Sequence, residues 1–193
     1  MSTDIVLVEE RVLEAFRKKL FHILENPAAE ICATPVITSK SAQRIRELVE
    51  DAKSKGATVT EVPTTMIRSR VYSPEDIIPA TVIENLDSSM SLYSQEAFGP
   101  LVGIIPVSSQ AEAAQIISKC TFGLSAAIFS TNHFACLNMV KRLQVGAVHI
   151  NAATVHDEST LPHGGHGDSG WGRFGATWGL EEFLQTKTII LNK

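Results

Sequence analysis

Apolar positions recur along the chain at two spacings that take turns. Residues 4–8 form a short β-branched run of buried-strand type. From residue 9 to 24 the apolar residues Val12, Leu13, Phe16, Leu20 and Leu24 return every three or four positions, which predicts an amphipathic helix ending before Pro27. Residues 38–55 repeat that period, with Ile45, Leu48, Val49 and Ala52 on one face and Gly56 as a stop. Strands are predicted at 57–62, 80–84 and 101–107, while 63–79 reads as mostly loop with an edge strand at 67–71. Ser109-x-x-Glu112 supplies a capping box for a helix through Lys119. A turn at Phe122-Gly123 then leads to a strand at 124–129, a helix at 132–143 and a strand at 146–151. A short helix at 180–184 and a strand at 186–191 close the pattern. Strands alternating with helices imply βαβ units, hence an α/β fold with a mainly parallel, helix-covered sheet.

There is no internal repeat, low-complexity stretch or linker, so one compact domain is expected over residues 1–184, with 185–193 reaching outward. A β-branched terminal strand left bare is an aggregation hazard. Pairing with a second copy would cover it, so residues 185–193 are expected to be an oligomerisation strand and the protein a homodimer. A core-type strand almost at the first residue adds the expectation that sequence upstream has been lost.

Composition narrows the function. The chain has 193 residues, 44% of them apolar and 20% charged, as in an ordinary globular protein. Its 17 Lys and Arg are scattered against 21 Asp and Glu, for a net charge of -4, which argues against nucleic-acid binding. No apolar run approaches a membrane span and the N-terminus has no signal-peptide pattern, so a cytoplasmic protein without membrane contact is expected. Three cysteines, Cys32, Cys120 and Cys136, lie too far apart for a disulfide framework or metal knuckle and are expected to be small buried hydrophobes.

Candidate chemistry gathers at one place. Residues 162–175 hold six of the 12 glycines, a density that lets another backbone or a ligand come close. Within or just before this ribbon lie His156, Asp157, Glu158, His163, His166 and Asp168. An imidazole partnered by a carboxylate can be tuned near neutral pH, so His156, Asp157, Glu158 and His163 are the candidate general acids and bases. The same residues also read as a solvated surface. His156, His163, His166 and Asp168 have the right donor types for a metal, but glycine-rich spacing is no rigid ligand pattern and no metal is expected. His22, His133 and His149 read as structural.

Gln95-Glu96-Ala97-Phe98-Gly99-Pro100 resembles the Glu-x-Phe-Gly-Pro motif of the NAD-dependent aldehyde dehydrogenase superfamily. Gly123-Leu124-Ser125-Ala126, Gly146-Ala147-Val148-His149-Ile150-Asn151, the glycine ribbon and Gly179-Leu180-Glu181-Glu182-Phe183 resemble that family's C-terminal half, in its order and spacing. Thr154-Val155-His156-Asp157-Glu158 is similar to the branch that oxidises aromatic or related aldehydes. The resemblance implies a catalytic-domain fold covering essentially the whole chain. Met1-Ser2-Thr3 falls in register just after the family's nucleophilic cysteine, so the expected protein is truncated there. It would lack the nucleophile, the general-base glutamate, the oxyanion asparagine and the dinucleotide-binding domain.

By that resemblance Glu96 matches the position that bonds the nicotinamide ribose and Phe98 the one that packs by the nicotinamide ring, both vestiges if no cofactor binds. In the ribbon, His163 stands where the family has an aromatic residue and Gly167 where lysine is common, and the segment before it lines the aldehyde tunnel. Aldehyde oxidation needs a thiolate and a positioned nicotinamide. A chain with neither is expected to bind no cofactor and to act without redox chemistry on a small carbonyl compound, in the manner of an isomerase or cyclase. The alternatives are a non-catalytic assembly protein or a fragment of a full-length dehydrogenase.

Overall fold

The computed structural model describes residues 3–25, 34–62 and 74–192. Their contacts group into two compact units, one up to Ala113 and one from Ala114 onward, a boundary that falls within a helix and that the sequence reads through as one domain. In chain order the elements are β1 (Ile5–Glu9), α1 (Glu10–Glu25), β2 (Thr34–Pro35), α2 (Ser39–Ser54), β3 (Thr58–Glu61), β4 (Ile77–Ile78), β5 (Thr81–Glu84), β6 (Leu101–Val107), α3 (Gln110–Ser118), β7 (Ser125–Ile128), α4 (His133–Val140), β8 (Ala147–Ile150) and α5 (Ala176–Glu181). Single 3-10 turns sit at Pro74–Asp76 and Ser91–Tyr93.

The first unit is built on a four-stranded sheet of order β1-β6-β5-β3. β6 runs parallel to β1, with Ile5 opposite Gly103, and parallel to β5, with Thr81 opposite Leu101. β3 lies antiparallel on the other side of β5. The sheet is therefore mixed and mostly parallel, as the pattern predicts. β6 is a nearly continuous apolar run and all four residues of β5 are buried, because strands inside such a sheet meet protein on both faces. Leu13, Phe16, Leu20, Phe21 and Leu24 of α1 pack against Val8, Val82 and Ile104. Each fully buried isoleucine there, such as Ile83 or Ile104, contributes about 2 kcal/mol.

α2 begins where Thr38, in extended conformation, accepts the Ser41 amide at 3.1 Å, and it buries Ala42, Ile45, Leu48, Val49 and Ala52. It stops at Gly56, whose φ of 95° suits a residue without Cβ. The pairing of β2 with β4 has no sequence signal at two residues each. The edge strand expected at 67–71 lies outside the described residues.

In the second unit β7 and β8 pair in parallel, Ser125 opposite Ala147, with α4 between them in sequence. Asn151 closes this unit by a reciprocal pair: its Oδ1 accepts the Ser130 amide at 2.9 Å and its Nδ2 donates to the Ser130 carbonyl at 3.0 Å.

Several local expectations need correction. The capping box at α3 is offset: Ser109 Oγ accepts the Glu112 amide at 3.2 Å, but the Glu112 carboxylate reaches the amide and hydroxyl of Ser108, at 2.8 and 2.6 Å. α4 ends at Val140, not 143, because Arg142 and Leu143 donate to Met139 and Val140, tightening the last turn. The last helix starts at Ala176, after Gly175 with φ 95°, and the expected 180–184 is mostly its loosening end. Residues 186–191 have no regular structure, since a strand requires a ladder partner and none is present among the described residues. Cys136 is buried as expected, Cys120 is exposed, and Cys32 lies outside the described residues. No helix of the described residues is long and apolar enough to cross a membrane.

Candidate functional site

The turn carrying Glu96 and Phe98 belongs to the first unit. It follows the 3-10 turn, whose Ser91 carbonyl accepts the Gln95 amide at 3.0 Å. Ala97 is fully buried, while Glu96 and Phe98 on either side face outward, the Phe98 ring 74% exposed. Phe98 has φ 48°, in the left-handed region that a bulky residue adopts only when its surroundings compel it.

Two charged side chains do the compelling. Arg44 of α2 donates Nη1 to the Glu96 carbonyl at 2.9 Å and Nη2 to the Ala97 carbonyl. Asp4 Oδ2 accepts the Ala97 amide at 3.3 Å, and its Oδ1 is buried without a partner among the described residues. Gly99 then passes so close to Ile45 that a Cβ would strike the Ile45 side chain. Burial pushes the Asp4 carboxyl above its usual range, against the pull of the Ala97 amide and Arg44. Glu96 is also raised, by burial first and then by the negative charge of Asp4, with Arg44 opposing. Arg44 and Asp4 carried no sequence signal, since they act on residues more than 50 positions away.

The glycine ribbon belongs to the second unit and is laid backbone on backbone against the starts of β7 and β8. The Gly123 carbonyl accepts the amides of Gly146 and His166, both at 2.9 Å, and the Gly123 amide donates to Ser169 Oγ at 3.0 Å. At Gly146 a Cβ would land on the Gly164 carbonyl oxygen, so glycine is required there by close approach. Within the ribbon His163 and Phe174 exchange two backbone hydrogen bonds of 2.8 Å. Arg173 Nη1 ties the carbonyls of Gly165 and Gly172 at 2.9 and 2.6 Å, and Glu182 accepts the Arg173 amide at 3.3 Å. Neither Arg173 nor Glu182 stood out in the sequence, because their partners are backbone atoms.

The four acid-base candidates fall into two pairs. His156 Nε2 lies 3.5 Å from Glu158 Oε1, and His163 Nδ1 lies 3.5 Å from Asp157 Oδ1. Both separations are within reach of an ion pair only where the imidazole is protonated, and both are longer than a good N–H···O hydrogen bond. The first pair is exposed, with the His156 side chain 68% accessible; the second is sheltered, with His163 at 17%. The His163 ring also meets the Phe174 ring at 5.0 Å between centroids, tilted by 52°. His166 and Asp168 are exposed, and no group of three metal-ligating side chains occurs among the described residues.

A cavity of about 180 Å³ lies elsewhere in the first unit. Its wall includes the buried Glu84 carboxylate, held by Arg17 Nε at 2.5 Å and Nη2 at 3.4 Å, and none of the candidate acid-base or cofactor residues.

Among known proteins, the chain is 33% identical over 197 residues to vanillin dehydrogenase of Pseudomonas fluorescens, an alignment covering 99% of this chain and 39% of that enzyme. Its fold superposes on a salicylaldehyde dehydrogenase from Pseudomonas putida G7 complexed with salicylaldehyde, with a TM-score of 0.80 and 28% identity, covering 93% of this chain and 37% of the other. It likewise matches an NADP-dependent glyceraldehyde-3-phosphate dehydrogenase from Bacillus halodurans complexed with NADP, with a TM-score of 0.79 and 28% identity, covering 92% and 37%. The chain thus spans about two fifths of the length of its relatives. Residues 1–189 match the family profile, and the chain belongs to the aldehyde dehydrogenase family.

Proposed function

We propose that this chain is the part of an NAD(P)-dependent aldehyde dehydrogenase catalytic domain that follows the nucleophilic cysteine, with aromatic aldehydes as its substrate class. The observation that carries this reading is the clamped turn at Glu96 and Phe98. An exposed carboxylate and an exposed ring, two residues apart on a strained and doubly anchored turn, suit a ribose hydroxyl and a flat nicotinamide. A bound nicotinamide cofactor would supply the hydride acceptor. Glu96 would accept the ribose hydroxyls, Phe98 would cover the ring, and Arg44 would keep both in place. The segment 154–163 would face the aldehyde, in keeping with the vanillin and salicylaldehyde enzymes that the chain resembles.

The nucleophile is not expected from this chain's own described cysteines, because Cys136 is buried and the exposed Cys120 thiol makes no hydrogen bond to a base among the described residues. The test is to read the genomic DNA upstream of Met1 for a Gly-Gln-x-Cys run and to follow NADH formation from vanillin. The 193-residue chain alone should give none, and a polypeptide that includes the upstream run should give a steady rate. NADH from the chain alone, or no such run, would overturn the reading.

The sheltered His163–Asp157 pair favours a second reading, in which the imidazole moves a proton on a carbonyl compound without redox chemistry. Turnover of a carbonyl substrate in the absence of NAD(P), lost in His163→Phe, would support it. Residues 185–193 are also proposed to pair with a second copy; light scattering should find a dimer that deletion of 186–193 converts to monomer, and a full-length monomer would refute this.

A further inference from the structure

We propose that the cavity beside α1 in the first unit binds a small organic ammonium ion, a property that does not depend on the dehydrogenase reading.

The register of the sheet builds its floor. Thr58 of β3 lies opposite Glu84 of β5, and Glu84 lies opposite Ile104 of β6. Partners across a ladder point to one face, so these three form a row, and Pro106, two positions beyond Ile104, shares that face. α1 lies over it, with Leu13 packed against the cluster that contains Val82 and Ile104. Glu14 and Arg17 continue the wall from α1, and Asn85, at φ 60°, turns out of β5 beside them. The 180 Å³ enclosed is below the size of a drug-binding pocket and suits a small molecule.

Charge selects the ligand. Two carboxylates, Glu14 and Glu84, meet one guanidinium, that of Arg17, which leaves one negative charge in excess. The Glu84 side chain is only 8% exposed, and a carboxylate so buried costs free energy that an apolar residue in its place would not. Arg17 gives each Glu84 oxygen one hydrogen bond, whereas a carboxylate can accept about four in all. Glu14 Oε2, the Thr58 hydroxyl and the Asn85 side-chain amide make no bond to a described residue. An ammonium group matches this set: its three N–H donors meet a wall rich in acceptors, and its charge cancels the excess. Its alkyl part continues the apolar surface of Leu13, Ile104 and Pro106. A carboxylate ligand would be repelled by the same excess charge, and an alcohol would offer one donor and cancel nothing.

The experiment titrates the 15N-labelled 193-residue chain, at neutral pH and constant ionic strength, with n-butylammonium, n-butanol and butyrate, which are close in size and differ in charge. Saturable shifts should appear at the Thr58 and Asn85 amides and at Arg17 Nε. The ammonium ion should bind at least about tenfold more tightly than the alcohol, the worth of one hydrogen bond to a charged group, and butyrate should not saturate. Glu14→Gln changes a side chain that is 83% exposed, so it should fold normally and erase most of the preference. Glu84→Gln should do the same, with thermal unfolding as the check that it folds; should it fail to fold, Glu14→Gln decides alone. Glu47→Gln removes an equal charge from α2, outside the cavity, and should leave the preference intact. Equal binding of the three ligands, no saturable binding of the ammonium ion at millimolar concentration, shifts confined to other residues, or a preference that survives Glu14→Gln would each overturn the inference. Neither NAD(P) nor an aldehyde takes part, so failure here leaves the NADH test untouched, and failure of that test leaves this site untouched.

Discussion

Replacing Gly146 by alanine tests whether the glycine ribbon is there for close backbone approach. The new Cβ would overlap the Gly164 carbonyl oxygen and come within 2.9 Å of its carbon and 3.0 Å of the Leu124 carbonyl oxygen. These are backbone atoms, and neither side can step aside cheaply. Leu124 accepts the Ala147 amide, and Gly164 sits between His163, bonded to Phe174, and Gly165, bonded to Arg173. Overpacking costs about 1–3 kcal/mol, and each of one or two hydrogen bonds broken to relieve it adds about 1 kcal/mol, for a total of about 2–5 kcal/mol. Gly170→Ala is the reference: a Cβ there meets nothing within 4 Å, and only the positive φ of 115° is strained. That strain costs about 1–2 kcal/mol. The assay is thermal unfolding followed by tryptophan fluorescence, since Trp171 and Trp178, the chain's two tryptophans, both lie in this unit. In a unit of this size 1 kcal/mol moves Tm by about 4–8 °C. Gly146→Ala should therefore lower Tm by about 8–40 °C and Gly170→Ala by about 4–16 °C, the first always the larger. Equal shifts, or the reverse order, would refute the close-approach account.

In the first unit, Ile104→Ala should cost about 2–5 kcal/mol in urea unfolding, because Ile104 is 1% exposed against Val8 and Val82. Phe98→Gly should leave the unfolding midpoint unchanged or raise it by about 1 kcal/mol, since it relieves a left-handed φ and gives up a ring that is mostly in water; a clear loss of stability would mean the ring packs after all. Asp4 has a folded pKa above its unfolded value of 3.8, so its contribution is most favourable below 3.8 and declines as pH rises through the folded pKa. Asp4→Asn should abolish that decline, read as a variant-minus-wild-type stability that grows between about pH 3 and pH 7. Glu112 behaves oppositely: bonded first to the Ser108 hydroxyl and then to its amide, it is held below 4.5, and the stability it gives above 4.5 is lost as pH falls through the folded pKa. Glu112→Gln should remove that acid-side loss.

The parts of the fold legible in the sequence are those whose period comes from burial. Ile45, Leu48, Val49 and Ala52 announce α2, and the unbroken apolar run of β6 announces a strand covered on both faces. Where a partner remote in sequence decides, the pattern falls silent. Nothing near Thr34 or Ile77 marks their two-residue pairing, and residues 186–191 carry strand composition without a partner. The acid-base candidates show the same limit. Four titratable residues close in sequence could pair in several ways, and only the fold of the ribbon joins Asp157 to His163 and Glu158 to His156.

The two candidate sites hold their exposed chemistry by different means. At Phe98 the restraint is charge on backbone: Arg44 and Asp4 grip the peptide groups of Glu96 and Ala97, leaving the neighbouring side chains free. Such a grip needs only one arginine and one carboxylate at the right distance, and it tolerates variation in what the turn displays. In the ribbon the restraint is contact of backbone with backbone, which excludes any Cβ at Gly146. At His163 both kinds of restraint meet: its peptide group is bonded to that of Phe174, and its ring packs on the Phe174 ring beside Asp157. Separating a scaffold from the residues displayed on it is a general route by which one fold comes to carry different chemistries.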